Sequence, residues 1–275
     1  MMSYRQQGVP LDGSRVVITG AGSGIGRRMA IGAARKGATV MVWDRDAQRA
    51  QAVAAEITAF GGEARAQQVD VVDREAVHDA AERAGGADIL INNAGVVSGR
   101  YLLDETPEAI DRTLAVNLKS LFWVTQAFLG GMVARHHGYV VTVASAAGIV
   151  AGSKMAAYAA SKAGAIAFNE ALRNEMRETD SGVGTMVVCP FYIDTGMFEG
   201  VKTRVPWLLP ILEPRRVAGA ILRGIERGTK QLILPPFVRV VPLLRVQPVG
   251  LADWSADMFG INRSMEDFAG RGGDR

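Results

Sequence analysis

The chain has 275 residues, 48% of them hydrophobic and 21% charged, which is enough for one substantial core and points to a single domain over residues 1–275. Its formal charge of +3 comes from Arg residues scattered along the chain rather than gathered in a run, which argues against nucleic acid as a partner. No uninterrupted apolar run of about 18 residues exists to span a bilayer, and MMSYRQQGVPLDG lacks the apolar core of a signal peptide, so a cytoplasmic protein is expected.

Seven short β-rich runs follow one another: RVVITG, TVMVWD, ARAQQVD, DILINNAG, GYVVTVAS, GTMVVCP and QLILP. Between them lie Ala-rich stretches of helical length, at Ile25–Lys36, Ala47–Phe60, Asp73–Ala84, Pro107–Arg135 and Met155–Glu178. Such alternation predicts an α/β Rossmann fold: a doubly wound, seven-stranded parallel sheet with helices on both faces. The core should run over 14–235, with a substrate loop at 191–215 and a C-terminal extension at 236–275. Ligands of such sheets bind beyond the carboxyl ends of the strands.

After the first strand, TGAGSGIG places Gly20, Ser23, Gly24, Ile25 and Gly26 at a helix start. Missing side chains let a pyrophosphate approach the backbone, and the helix N-terminus supplies N–H donors and a positive dipole end. Gly-rich turns also serve as plain connectors. The second strand ends at Asp44, whose carboxylate could accept hydrogen bonds from ribose hydroxyls and would repel a 2′-phosphate, which favours NAD over NADP. Arg45 beside it could act in the opposite sense, and Asp44 could instead cap the helix from Ala47. Asp70 and Val71, after the third strand, could reach the adenine edge, although Asp70 could equally cap the next helix.

His78, His136 and His137 show no metal-ligand spacing, and no metal is expected; the 136–137 pair suits a helix C-terminus. The one cysteine, Cys189 in GTMVVCP, reads as a buried strand residue.

In AAYAASKAG, Tyr158 and Lys162 stand four residues apart among small side chains and therefore share a helix face. A free phenol, with a pKa of about 10, is a poor base at pH 7; an adjacent ammonium that brought it down toward neutrality would supply about 4 kcal/mol. Such a phenol could exchange a proton with an alcohol or ketone.

TGAGSGIG, NNAG at Asn92–Gly95, Asn117, Ser145 and YAASK together resemble the short-chain dehydrogenase/reductase family over about Ser14 to Leu234. The resemblance implies Tyr158 as acid/base, Lys162 as the group that lowers its pKa and binds the nicotinamide ribose, Ser145 on the substrate oxygen, and Asn117 holding a water that links Lys162 to solvent. It implies cofactor support from Asn93, Ala94 and Gly95, and nicotinamide contacts from Pro190, Ile193 and Thr195. Where the family has Pro-Gly after its sixth strand, this chain has Phe191, so the local loop geometry is expected to differ.

NNAGVVSGRYLL, VTVASAAG and CPFYIDTGMF are most similar to the retinol dehydrogenase and 17β-hydroxysteroid dehydrogenase branch, which implies a lipophilic alcohol or its carbonyl as substrate. Phe191, Met197, Phe198 and Trp207 are the expected pocket residues, together with Ser145; Leu209 and Leu212 belong to the same apolar loop, which could also serve core packing or a subunit contact. An NADPH-dependent 3-oxoacyl thioester reductase, and a dinucleotide sensor without chemistry, are the alternatives. The resemblance also implies a homotetramer or homodimer joined through the two long helices. The apolar stretch after the last strand could cover a pocket or touch a membrane surface, and its prolines argue against one continuous helix.

Overall fold

In the computed structural model, residues 6–201, 203–204, 209–236, 248–261 and 264–268 are described. Seven parallel strands, β1 (Arg15–Thr19), β2 (Thr39–Asp44), β3 (Glu63–Gln68), β4 (Ile89–Asn92), β5 (Gly138–Val143), β6 (Val183–Pro190) and β7 (Gln231–Leu234), form one sheet in the order β3-β2-β1-β4-β5-β6-β7. The expected fold is the observed one.

The strands are apolar on both sides because helices cover both faces, and the alternation of side chains along each strand sorts them between two cores. Val16, Ile18, Val40, Val42, Ile89 and Ile91 face α1 (Gly24–Ala34), α2 (Ala47–Ala59) and α7 (Pro214–Glu226), meeting Met29, Val53, Ile57, Ile221 and Ile225. Val17, Met41, Trp43 and Leu90 face the other way, onto Val77, Phe128, Met132 and Leu172 of α3 (Arg74–Ala84), α5 (Ser120–Ala134) and α6 (Ala156–Glu178). The chain reverses its winding between β1 and β4, so a crevice opens there at the strand ends.

Three departures from the sequence reading have physical causes. The segment Pro107–Arg135 is not one helix: α4 (Pro107–Leu114) and α5 are joined by a π turn, Ala115–Lys119, that carries Asn117. Helices α2 and α3 are capped by Asp46 and Asp73, whose carboxylates accept from the N–H groups two and three residues on; neither Asp44 nor Asp70 is the cap. Helix α7 was not expected, yet Pro214 at its first turn and buried Val217, Ile221 and Ile225 at four-residue spacing are the marks of an amphipathic helix. Beyond β7, α8 (Val249–Met258) is described. No helix among the described residues is long and apolar enough to cross a membrane.

Candidate active site

A cleft of about 1050 Å³ runs across the carboxyl ends of the strands. Its walls include Gly20, Ser23, Gly24, Ile25, Gly26, Asp44, Arg45, Asp70, Val71, Asn93, Ala94 and Gly95 at one end. Ser145, Tyr158, Lys162, Pro190, Phe191, Ile193, Thr195, Met197 and Phe198 line the other. Asn117 stands just behind the wall, and Trp207 lies outside the described residues.

The glycines of the first turn are there for space as well as conformation. Gly20 has φ +63°, and a Cβ on Gly26 would stand 2.2 Å from the Gly20 carbonyl oxygen and 2.6 Å from Asn93 Nδ2. Asn93 locks this turn from the neighbouring strand: its Nδ2 donates to the carbonyls of Thr19 (2.9 Å) and Gly20 (3.1 Å). In return, Thr19 Oγ1 accepts from the backbone N–H groups of Asn93 (2.9 Å) and Ala94 (3.0 Å). Thr19 is thus a positioning residue that the sequence reading passed over, because its partners are more than seventy residues away.

Asp44, only 9% exposed, accepts from Gly22 N–H at 2.8 Å and from Asp46 N–H at 3.1 Å. The carboxylate is held fixed at the cleft wall by two backbone donors, with lone pairs left for further hydroxyl donors. Asp70 is exposed and closes an Asx turn onto Val72 N–H at 3.1 Å, while Val71 O accepts from Trp123 Nε1 at 2.6 Å.

At the other end, α6 starts beside the end of β5, and its first turns bring Tyr158 and Lys162 to the cleft with 5% and 4% exposure. Lys162 Nζ donates to the Val143 carbonyl at 2.9 Å and lies 5.8 Å from the Tyr158 ring centroid. Burial pulls the Lys162 ammonium down to about 8, opposed by the nearby Cys189 thiol. Burial likewise pushes the Tyr158 phenol up to about 12; a hydrogen bond with Ser145 acts downward and the neighbouring Tyr192 phenol acts upward. In the protein alone, therefore, desolvation outweighs the expected lowering of Tyr158 by Lys162, since both groups have lost their water and the ammonium is bonded to a carbonyl.

Ser145 also does what a strand-end cap would do, accepting from Ala147 N–H at 3.1 Å. Asn117, 1% exposed, bonds backbone, but not that of its own helix: the π turn aims it at Val96, where Oδ1 accepts from N–H (2.8 Å) and Nδ2 donates to the carbonyl (2.9 Å). Its Nδ2 also donates to Ser161 Oγ at 3.1 Å, and Ser161 in turn donates to the Tyr158 carbonyl at 2.6 Å. A Cβ built on Gly95 would lie 3.4 Å from Asn117 Oδ1 and 3.5 Å from Lys162 Nζ, so β4, the π turn and α6 converge there.

Phe191 does not disturb the strand end: its N–H donates to the Leu234 carbonyl at 2.8 Å, and its ring packs at 4.6 Å on Tyr192. Phe198 stands edge-on to Tyr158 with ring centroids 6.0 Å apart. Leu209 and Leu212, by contrast, pack into the core, with Cys189 and Ile233 beside Leu209.

The sequence profile described as short chain dehydrogenase matches residues 14–205. The chain belongs to this family. Within it, the relatives include retinol dehydrogenases: the chain is 37% identical over 267 residues to epidermal retinol dehydrogenase 2 of Mus musculus, covering 94% of this chain and 86% of that one. It is 38% identical over 262 residues to retinol dehydrogenase 10-B of Danio rerio, covering 86% and 78% respectively. A Burkholderia phymatum short-chain dehydrogenase/reductase solved in complex with NAD superposes with a TM-score of 0.80 at 25% identity, over 88% of this chain and 96% of that one. A metagenomic short-chain oxidoreductase in complex with NADP gives 0.69 at 29% identity, over 82% and 97%. This short-chain dehydrogenase is thus of the retinol dehydrogenase branch.

Proposed function

We propose that the protein is an NAD-dependent dehydrogenase that interconverts a lipophilic alcohol and its carbonyl. The observation that carries this reading is the cleft itself, which has a glycine turn and a fixed Asp44 at one end and Tyr158, Lys162 and Ser145 gathered on one wall at the other. The open N-terminus of α1 suits a pyrophosphate, and Asp44 suits ribose hydroxyls better than a 2′-phosphate. Gly20, Ser23, Gly24, Ile25, Gly26 and Asp44 would hold the adenosine half, with Asp70, Val71 and Arg45 flanking it. Asn93, Ala94, Gly95, Lys162, Pro190, Ile193 and Thr195 would hold the nicotinamide half.

When bound, the dinucleotide supplies the hydride acceptor for oxidation and the donor for reduction. The chain's share is the proton. Ser145 and Tyr158 hold the alcohol oxygen, and the Tyr158 phenolate takes its proton as the carbonyl forms; the neutral phenol returns it in reduction. Lys162 stabilises the phenolate, and closing water out of the site strengthens that attraction. Asn117 keeps Val96 and Ser161 in place beside this pair. Met197, Phe198 and Phe191 give the substrate body an apolar surface, as a retinol-, steroid- or long-chain-alcohol-like molecule requires.

The test is absorbance of the reduced nicotinamide, with NAD and NADP in parallel, over short alcohols, long-chain alcohols, steroids, retinol and 3-hydroxyacyl thioesters. NAD-linked turnover of bulky apolar alcohols is expected. NADP-linked turnover of thioesters would favour the acyl-thioester reductase instead, and tight NAD binding without any turnover would favour the sensor. Self-association into a homodimer or homotetramer is part of the same reading: α5 presents Phe122, 48% exposed and 4.9 Å from Phe168 of α6, and sedimentation equilibrium would give the number of subunits.

A further inference from the structure

The sheet gives little support to the part of the cleft wall that follows β3. This strand lies at the sheet edge, pairs only with β2, and has no buried residue. The loop after it nevertheless lines the cleft with Val69, Asp70, Val71 and Val72. Its own hydrogen bonds are short-range: Val72 N–H donates to Asp70 Oδ1 and Asp73 N–H to the Asp70 carbonyl, both at 3.1 Å. One bond, from Val69 N–H to the Asp44 carbonyl at 2.9 Å, ties the near end of the loop to β2. These contacts shape the turn without fixing where its far end stands.

The far end is held from the helical layer. Trp123 of α5 donates its indole N–H to the Val71 carbonyl at 2.6 Å, from 52 residues further along the chain. Val71 is buried in one cluster with Val77, Val116 and Val124, and the Trp123 ring packs against that cluster. An indole has a single N–H, fixed in direction by a ring that packing holds, so this bond sets both the position and the tilt of the Val71 peptide group. The same helix and the π turn before it reach two further points: Thr125 Oγ1 accepts from Asn92 Nδ2 at 3.0 Å, and Asn117 bonds both polar groups of the Val96 backbone. Helix α5 with its π turn thus braces the segments that end β3 and β4, and Trp123 is the member that reaches the adenosine end. Trp123 does not itself line the cleft.

We infer that Trp123 is a positioning residue for the dinucleotide: by holding the Val71 carbonyl, it keeps Asp70 and Val71 where the adenosine half binds, and it acts on that half alone. This rests on the reading of the cleft as a dinucleotide site. It goes further in assigning part of the affinity for the adenosine half to a side chain of α5 that stands behind the wall and bonds only its backbone.

Trp123→Phe keeps a ring and loses the donor, whereas Trp123→His keeps a ring N–H; both would be compared with the parent chain. Titration calorimetry with NAD and with ADP-ribose reads the adenosine half directly, and saturation kinetics read the rest of the site. In Trp123→Phe, the dissociation constants for NAD and ADP-ribose, and KM for NAD, are expected to rise about tenfold, with partial return in Trp123→His. At saturating NAD, kcat and KM for the alcohol should stay within about twofold of the parent. Unchanged ADP-ribose affinity, or a fall in kcat as large as the rise in KM for NAD, would overturn the inference and leave Trp123 a packing residue. The outcome is separable from that of the functional reading. If the parent binds NAD but turns over no alcohol, and Trp123→Phe still loses about tenfold in ADP-ribose affinity, the brace stands and the dehydrogenase reading falls. If the parent oxidises alcohols with NAD and the variant binds ADP-ribose as tightly as the parent, the dehydrogenase reading stands and the brace falls.

Discussion

The two ends of the cleft are built on opposite principles. At the cofactor end, the fixed groups are held by hydrogen bonds between a side chain and backbone: Asp44 accepts from the N–H groups of Gly22 and Asp46, Asn93 donates to the Thr19 carbonyl of the glycine turn, and Thr19 Oγ1 accepts from the Asn93 N–H. At the substrate end, side chains from four distant segments hold one another by packing, and Tyr158 has Val97, Tyr192, Phe198 and Met265 in its cluster. A backbone-held site binds one unchanging ligand, whereas a packed site can change its occupant by changing a few side chains. That difference suits a dinucleotide shared across a large family and a substrate that is not.

The sharpest way to break the comparison is Tyr158→Phe, which removes the hydroxyl proposed to carry the proton but keeps the ring in its cluster. Turnover should fall at least about 1000-fold while NAD affinity measured by titration calorimetry stays nearly unchanged; substantial remaining turnover would mean that another group moves the proton.

Lys162→Met comes next, and it separates function from stability. Folded Lys162 loses its proton near 8 and the unfolded residue near 10.5, so the folded state binds fewer protons in that window. Its burial therefore costs stability below about pH 8, and the cost fades as pH rises toward 10.5. The full difference corresponds to about 3 kcal/mol, offset in part by the bond to Val143. Turnover should be lost in Lys162→Met without loss of thermal stability at pH 7, and the parent chain should gain on the variant in denaturant titrations between pH 8 and 10. A variant much less stable than the parent at pH 7 would show that Lys162 is chiefly structural.

Asp44→Ala tests the other end. Removing a charged acceptor for ribose hydroxyls should raise KM for NAD about 10- to 100-fold and narrow the preference over NADP; parallel saturation curves with the two cofactors would check it. If both cofactors are equally affected, the carboxylate serves only to hold Gly22 and Asp46.

The smallest expected effect is that of Thr19→Val, which keeps the shape but leaves the Asn93 and Ala94 N–H groups without their acceptor. A loss of about 1–3 kcal/mol in urea unfolding is expected, with NAD affinity weakened and substrate selectivity unchanged. A shift in selectivity would show that the two ends are not independent.

Much of the cofactor end was legible because its signals are local: a glycine turn after an apolar strand, and a carboxylate at the end of the next. Where that reading weighed a helix cap for Asp44 and Asp70, neighbours two or three residues away removed it, since Asp46 and Asp73 are the caps. The pairing of Tyr158 with Lys162 was legible because four-residue spacing on a helix puts both on one face. Its electrostatics were not, because desolvation depends on everything packed around the pair. The π turn at Asn117, the brace at Thr19 and the Trp123–Val71 bond all join residues far apart in the chain, and nothing in their immediate neighbourhoods signals a partner.

Taken alone, the sequence determined the strand and helix alternation, the parallel sheet, the glycine turn after the first strand and the helix face shared by Tyr158 and Lys162, because periodicity and short spacing act over one turn or one strand. Only the tertiary structure decided that Tyr158 and Lys162 are both sealed from water, that Leu209 and Leu212 belong to the core, and that Met265 joins the apolar cluster around Tyr158. Burial and long-range packing are properties of the assembled chain, and no local pattern carries them.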